Sequence, residues 1–425
     1  MNGPTKRFGG QLAGLLAPVP PLESPPQDLD AAHRKYERPA DAGNSDAMYA
    51  LGILYAQWTE PPNLDAARRW WERGAEAGNS NAMTGLGVLH AESVEPPDLD
   101  AARRWWERGA EAGNSNAMTG LGVLYATLTQ PPDLDAARHW YQRAADAGNG
   151  EAMNALGVLH SLRMEPPDLD AARRWYERAV DTGNISAMNN LGVLYAELMQ
   201  PPDLDAARHC YERAAEAGSS SACINLGVLY AELMQPPDLD AARHWYERAA
   251  DTGNSDAMYS LGRLYQQWIE PRDLDTARHW YERGGEAGNS NAMTGLGMLY
   301  AESTEPRDLD AARHWYQRAA DAGNSSAMHN LGLLFATLLE PPDLDAARYW
   351  YERAIDAGNS GAMYNLGVLY EQLMQPPDLD AARRWYQRAA DSGNSNAMRN
   401  LAIVRGKLLR MRWRRGVSRM TKRRH

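Results

Sequence analysis

Five histidines, His139, His209, His244, His279 and His314, occupy one position of a thirty-five-residue sequence period. Imidazoles ligate metals, but a metal site needs its ligands to converge within about 2 Å of a single ion. Histidines whole periods apart fall in different structural units, and Arg104, Arg174 and Tyr349 fill the same position elsewhere. They read as solvated surface side chains, and no metal is expected. His90 and His160 stand where other units carry Tyr and read as wall residues. Gly85-Leu-Gly87 imitates the opening of a dinucleotide fingerprint, yet the third glycine is missing, with His90 in its place, and no strand precedes it. Asp98, Asp100 and their copies are numerous, but acid–base catalysis needs two groups held in different environments, and eleven copies of one environment supply none. Cys210 and Cys223 replace a Trp and a Met of other units, so they read as core thiols and not as a disulfide framework or a metal site. No Ser/His/Asp or Cys/His set rises above the repeat. These residues point to a protein that is not an enzyme and takes no cofactor.

The elements that must carry these residues are set by the repeat itself. Pro96–Gln130, PPDLDAARRWWERGAEAGNSNAMTGLGVLYATLTQ, is written eleven times without insertion or deletion, its first Pro falling at 26, 61, 96 and so on to 376. Each copy predicts two helices. In the first, Leu99, Ala102, Trp106 and Ala110 share one face. Asp98 is placed to cap it and Asp100 puts negative charge in its first turn. Gly113 supplies the left-handed stop. Asn114 or Ser115 then caps a second helix with the face Ala117, Leu121, Leu124, Leu128, which the next Pro-Pro ends. Asp100 with Arg104, and Arg108 with Glu111, are expected as helix-surface ion pairs.

Comparing the units shows what stacking requires. Leu29, Asp30, Ala32, Arg38, Gly43, Ala47 and Leu51 are the same in all eleven, and an aromatic stands at every equivalent of Tyr36. Gly52 and its equivalents are Gly ten times, with Ala402 the exception. A mid-helix Gly costs roughly 1 kcal/mol against Ala, so ten of them predict a close helix–helix approach filled by a neighbouring Trp-Tyr pair. If the Trp of that pair is buried, Trp245→Ala should cost about 3–5 kcal/mol. Lys35 replaces the Trp in the first unit, where Pro39 predicts a short or kinked helix; in the last unit Ala402 and Arg405 replace Gly and Tyr, and the helix can run on to about Gly416. Both ends look like caps of an array.

The net charge is −11, yet residues 402–425 hold ten Lys/Arg and no Asp/Glu, so the array is more acidic than the whole. An acidic body repels nucleic acid, while the basic tail suits anions. Residues 1–25 resemble a signal peptide only in outline: the apolar run is broken by glycines and a Gln and ends in Pro-rich sequence. A disordered leader at 1–25, eleven repeats at 26–410 and a basic tail at 411–425 extending the last helix are the expected domains. No stretch approaches the ~18 apolar residues of a membrane span. The unpaired cysteines suit a reducing cytoplasm.

The pattern Ala-Met-x-x-Leu-Gly-Val-Leu-Tyr, followed by Leu-Asp-x-Ala-x-x-Trp-Tyr-x-x-Ala-x-x-x-Gly-Asn, resembles the Sel1-like repeat, a branch of the tetratricopeptide superfamily, over residues 26–410. The loop between second and first helices departs from that family, being Pro-Pro-Asp or Pro-Arg-Asp where a Gly-rich loop is usual. A chain with forty Arg against four Lys fits a GC-rich bacterial genome. The resemblance implies an all-α, right-handed superhelical solenoid of antiparallel helix pairs whose concave groove binds a protein or peptide. On that geometry three variable positions of the second helix face the groove. The fourth is Tyr49, Thr84, Thr119, Asn154, Asn189, Ile224, Tyr259, Thr294, His329, Tyr364 and Arg399; the twelfth includes Thr127, Glu197 and Glu232; the first includes Asn116. The alternative site is the tail, where Arg410, Arg412, Trp413, Arg414 and Arg415 would suit nucleic acid or an anionic membrane.

Overall fold

A computed structural model describes residues 29–93, 96–303 and 307–421, with side chains described as far as Met411. The leader at 1–25 lies outside the described residues. Those described are helices and connecting turns, with no strand among them. The chain divides into two compact bodies, Met1–Ala222 and Cys223–His425, and each is a stack of the same antiparallel helix pair.

The first helix of a unit is thirteen residues long, as in Leu99–Glu111. The Ala101 N–H donates to Asp98 Oδ1 at 2.9 Å, so Asp98 is the cap. The C-terminus is closed by Gly113 at φ 81°. Around it the Gly113 N–H donates to the Ala110 carbonyl and the Asn114 N–H to the Gly109 carbonyl, both at 3.0 Å, which satisfies carbonyls the helix end leaves over. The opening helix Leu29–Asp41 has the same thirteen residues and runs through Pro39, so it is not shortened.

Asn114 rather than Ser115 caps the second helix, accepting from the Ala117 N–H at 3.0 Å. Its amide also reaches back one unit: Nδ2 donates to Asn81 Oδ1 at 2.7 Å. Asn79 does the same to Asp46, Asn149 to Asn116, Asn289 to Asp256 and Asn324 to Asn291. One side chain therefore closes a helix and ties two units. Asn149→Ser should keep the cap and lose the tie, costing about 1 kcal/mol, and Asn149→Ala should lose both, costing about 2. Thermal unfolding of the two variants beside the wild type checks the order.

The second helix does not stay α-helical up to the prolines, as the periodicity predicted. Ser115–Val123 is α-helical and Leu124–Leu128 forms a π-helical turn, and every unit but the last repeats this. In that turn the Thr129 N–H donates to the Leu124 carbonyl at 3.0 Å, and the Tyr125 carbonyl accepts from the Asp133 N–H at 2.8 Å. The prolines between them have no N–H to offer, so the widened turn brings the Asp133 N–H to a carbonyl that otherwise accepts only from the Thr129 hydroxyl, at 3.1 Å. Eight of the described turns have a cis peptide bond before their first proline.

Packing between units rests on the glycine column. A Cβ on Gly87 would overlap the Trp106 indole, and one on Gly332 would lie 2.5 Å from Tyr351. Trp106 is also pressed from the other side, since a Cβ on Gly120 would lie 2.7 Å from its ring. The expectation of a ring over each glycine holds, with one correction: the second member of the aromatic pair fills the space. Trp71, Trp106 and Tyr246 are 0%, 0% and 4% exposed, whereas Trp245 is half-buried. The Trp245 ring lies under the Arg248 guanidinium, 5.3 Å from the centroid, with His244 edge-on at 5.4 Å. Trp245→Ala should therefore cost much less than loss of the fully buried ring.

Arg108 likewise stacks over Trp105 at 4.5 Å, and the expected bond to Glu111 is replaced by this cation–π contact. Asp100 pairs with Arg103, at 3.4 Å, and not with Arg104. Both groups are well exposed, so the pair contributes little.

Candidate binding face

Side by side within each body, successive second helices form a face whose side chains vary while its framework does not. In the first body, Asn190 Nδ2 donates to Asn154 Oδ1 at 3.0 Å. In the second, the Asn365 amide meets His329 Nε2 at 2.6 Å and Asn400 Nδ2 approaches the Tyr364 hydroxyl at 3.5 Å. The fifth position, occupied by Asn190, Asn365 and Asn400, thus reaches back to the fourth position of the preceding unit. Sequence reasoning passed over it. Its signal was visible as a drift from Ala50, Gly85 and Gly120 to Asn190, Asn365 and Asn400.

The expected groove residues separate into three groups. Tyr49, Thr84, Thr119 and Thr294 are 4%, 1%, 3% and 7% exposed, so these four are corrected from surface to core. Beside the three threonines the fifth residue is Gly85, Gly120 or Gly295, and the Trp71, Trp106 or Tyr281 ring closes over the helix there. The three threonine hydroxyls donate to the carbonyls of Ser80, Ser115 and Ser290 in their own helices. Asn154, Asn189, Ile224, Tyr259, His329 and Tyr364 are half-buried, and Glu197 and Glu232 are exposed. Tyr259 leans on Tyr281 at 6.1 Å and Tyr364 on Tyr386 at 5.8 Å between centroids, so both rings are held from behind while one edge stays open. Glu232 lies 3.7 Å from Arg263. Asn116 is engaged in the inter-unit tie, while Thr127 is exposed.

A second feature missed by the sequence reading is Glu371, 7% exposed in a column that is Ala in most units. Its two oxygens accept from the Tyr386 hydroxyl at 2.9 Å and from Lys407 Nζ at 2.8 Å. Ser161 and Gln266, the other polar residues of that column, also meet the tyrosine hydroxyl of the following helix, Tyr176 and Tyr281. A polar residue in an Ala column was the available clue. These bonds satisfy hydroxyls that burial would otherwise leave costly, and they explain the cluster without a catalytic role. Burial also raises the phenols of Tyr246, Tyr281 and Tyr386 far above their ordinary range.

The titratable groups behave as wall and core residues. Four of the five periodic histidines, His139, His244, His279 and His314, each stand edge-on to their own Trp. Burial lifts the Cys210 thiol to about 11 and raises Cys223 as well, which removes reactive thiolate near neutral pH. Burial lowers the pKa of His90, His160 and His329 below the ordinary 6.5. A lowered histidine favours folding in its neutral form, so its contribution is complete above the unfolded pKa and is lost as pH falls below about 6.5. We expect the melting temperature to drop on acidification through that window. His90→Tyr with His160→Tyr, which restores the residue of neighbouring units, should reduce the drop; an unchanged pH profile would show that these rings are not responsible.

The last helix, Ser395–Thr421, runs twenty-seven residues, past the expected end near Gly416. Arg410 on it is exposed. The side chains of Arg412, Trp413, Arg414 and Arg415 lie outside the described residues. Among the described residues no helix is long and apolar enough to cross a membrane.

Ten consecutive stretches, 45–79 through 360–394, match the Sel1 repeat. Each begins at a second helix and ends at the next unit's cap residue, so the Pro-containing turn lies inside the matched unit. Among solved structures, a Sel1 repeat protein from Oxalobacter formigenes is similar at 30% identity over 69% of this chain and 88% of that one, with a TM-score of 0.53. A protective antigen of uropathogenic Escherichia coli strains displaying an SLR fold is similar at 26% identity, over 89% and 82%, with a TM-score of 0.51. No curated protein matches the chain by sequence.

Proposed function

Because this chain belongs to the Sel1 repeat family, we propose that it is a non-catalytic scaffold that holds a protein or peptide partner against the variable face of its second helices. One observation carries this reading: half-exposed side chains that differ from unit to unit, such as Tyr259, His329 and Tyr364, are set on a framework of buried Ala, Leu and Gly that does not differ. Rigid aromatics with one open edge lose little entropy on binding and are the usual anchors of an interface. At the twelfth position, acidic Glu197 in the first body and Glu232 in the second favour a partner with basic groups.

Affinity capture with the full chain and with Tyr259→Ala, Tyr364→Ala tests the reading. Loss of the same partners from the variant supports it; identical captured sets remove these residues from the site.

A second reading rests on the continuity of the last helix. From 402 to 421 it carries Arg405, Lys407, Arg410, Arg412, Arg414, Arg415 and Arg419 with no acidic residue. Such a helix would hold phosphate groups, of nucleic acid or of an anionic membrane, with an affinity that falls steeply as salt rises. Truncation after Met411 keeps Val404 in the core and Lys407 on Glu371. If the truncated chain binds nucleic acid and anionic vesicles as the full chain does, the tail is not the site.

A further inference from the structure

The array ends differently from its joints at three positions, and all three lie where one copy of the chain would stack on another. At an internal joint, the second helix offers Met, Gly and Tyr to the first helix of the next unit. Met48 lies in a buried cluster against which Trp70 packs, a Cβ on Gly52 would overlap Trp71, and Tyr55 packs against the cluster that contains Ala67 and Trp71, within electrostatic reach of Arg69. The corresponding surface of the last second helix is open: Met398 is 52% exposed where Met48 is 5%. The corresponding surface of the opening helix is partly open too, since Ala32 and Tyr36 are half-buried where Ala67 and Trp71 are fully buried. These two surfaces are complementary in kind. A head-to-tail contact between them would use a different surface on each copy, so each copy joined in this way would still offer an end to another.

Each of the three columns is spoiled at one end or the other. Lys35 stands where Trp would cover Met398. The methyl of Ala402 stands where the glycine would admit the Tyr36 ring. Arg405, in the tyrosine column, would be brought towards Arg34, the equivalent of Arg69. The geometry points to Lys35, Ala402 and Arg405 as residues that set the specificity of the array ends, admitting stacking within one chain and refusing a second copy. A buried ammonium, a methyl inside a ring and two facing guanidinium groups act by different physics, and all three oppose the same contact.

The test uses the full chain. Lys35→Trp, Ala402→Gly, Arg405→Tyr introduces only residues that internal units already carry. Sedimentation over a concentration series should show its weight-average mass growing past that of a dimer, while the wild type does not grow in this way. Ala402→Gly, Arg405→Tyr, which leaves the opening helix untouched, should associate more weakly. A triple variant with Leu instead of Gly at 402 should return to the wild-type mass, which distinguishes end stacking from unspecific aggregation. The proposal is overturned if the glycine-containing variants retain wild-type helicity and wild-type mass at every concentration, if the Leu variant associates equally, or if cross-linking finds the wild type already joined through residues 35–36 and 398–405.

Discussion

Trp106→Ala is expected to cost about 3–5 kcal/mol, the range for removing a large aromatic from a rigid core. The indole is 0% exposed and is held between two helices whose facing positions are Gly87 and Gly120. Neither glycine has a side chain that could move into the space, so the cavity would stay open. Each unit of an array contacts only its neighbours, and the damage should remain local. Hydrogen exchange should speed up in Ser80–Val88, Leu99–Glu111 and Ser115–Val123 and stay unchanged in the distant units. Uniform acceleration along the chain would contradict the nearest-neighbour picture.

Gly332→Ala is the second large effect, and its sign is the informative part. On helix propensity alone the substitution should stabilise by about 1 kcal/mol. The added methyl, however, would sit 2.5 Å from a ring carbon of Tyr351, which is itself 2% exposed and without room to withdraw. Overpacking of this kind costs about 1–3 kcal/mol and occasionally more, so the clash should win and the variant should be destabilised. Gly332→Ala made in a Tyr351→Ala background should recover the propensity gain instead. Chemical denaturation of the four members of this cycle measures the coupling; additive effects would mean that the glycine is not there for the ring.

Much of this was legible in the sequence because the fold is built from local rules repeated at a fixed step. Asp98, Gly113 and Asn114 announce their helix ends, and ten mid-helix glycines are costly enough to imply a tight joint. Which aromatic fills that joint was not legible. Adjacent Trp and Tyr differ by about 100° around a helix axis, and aromatics at nearly every copy of both positions conceal which one points inward. The π-helical turn after Leu124 was hidden for a related reason: apolar spacing reports the face of a helix, not whether its last carbonyls bond four or five residues ahead.

The binding face was legible only in outline. Variation marked the fourth position, but variation alone does not distinguish an exposed side chain from one buried beside a small neighbour, as Thr84 beside Gly85 shows. The fifth position and the Asn114 tie depend on contacts between residues about thirty-five apart, and Glu371 on contacts fifteen and thirty-six apart, all of them between units that a unit-by-unit comparison aligns rather than pairs.

The central claim is that the half-exposed fourth-position residues of the second helices hold a protein partner. Its most direct measurement is affinity capture with quantitative comparison of three full-length forms: wild type, Tyr259→Ala with Tyr364→Ala, and the chain truncated after Met411. We expect the tyrosine variant to retain wild-type helicity and lose partners that the truncated chain keeps. If the tyrosine variant captures the same partners in the same amounts as the wild type, the face assigned to binding is the wrong one.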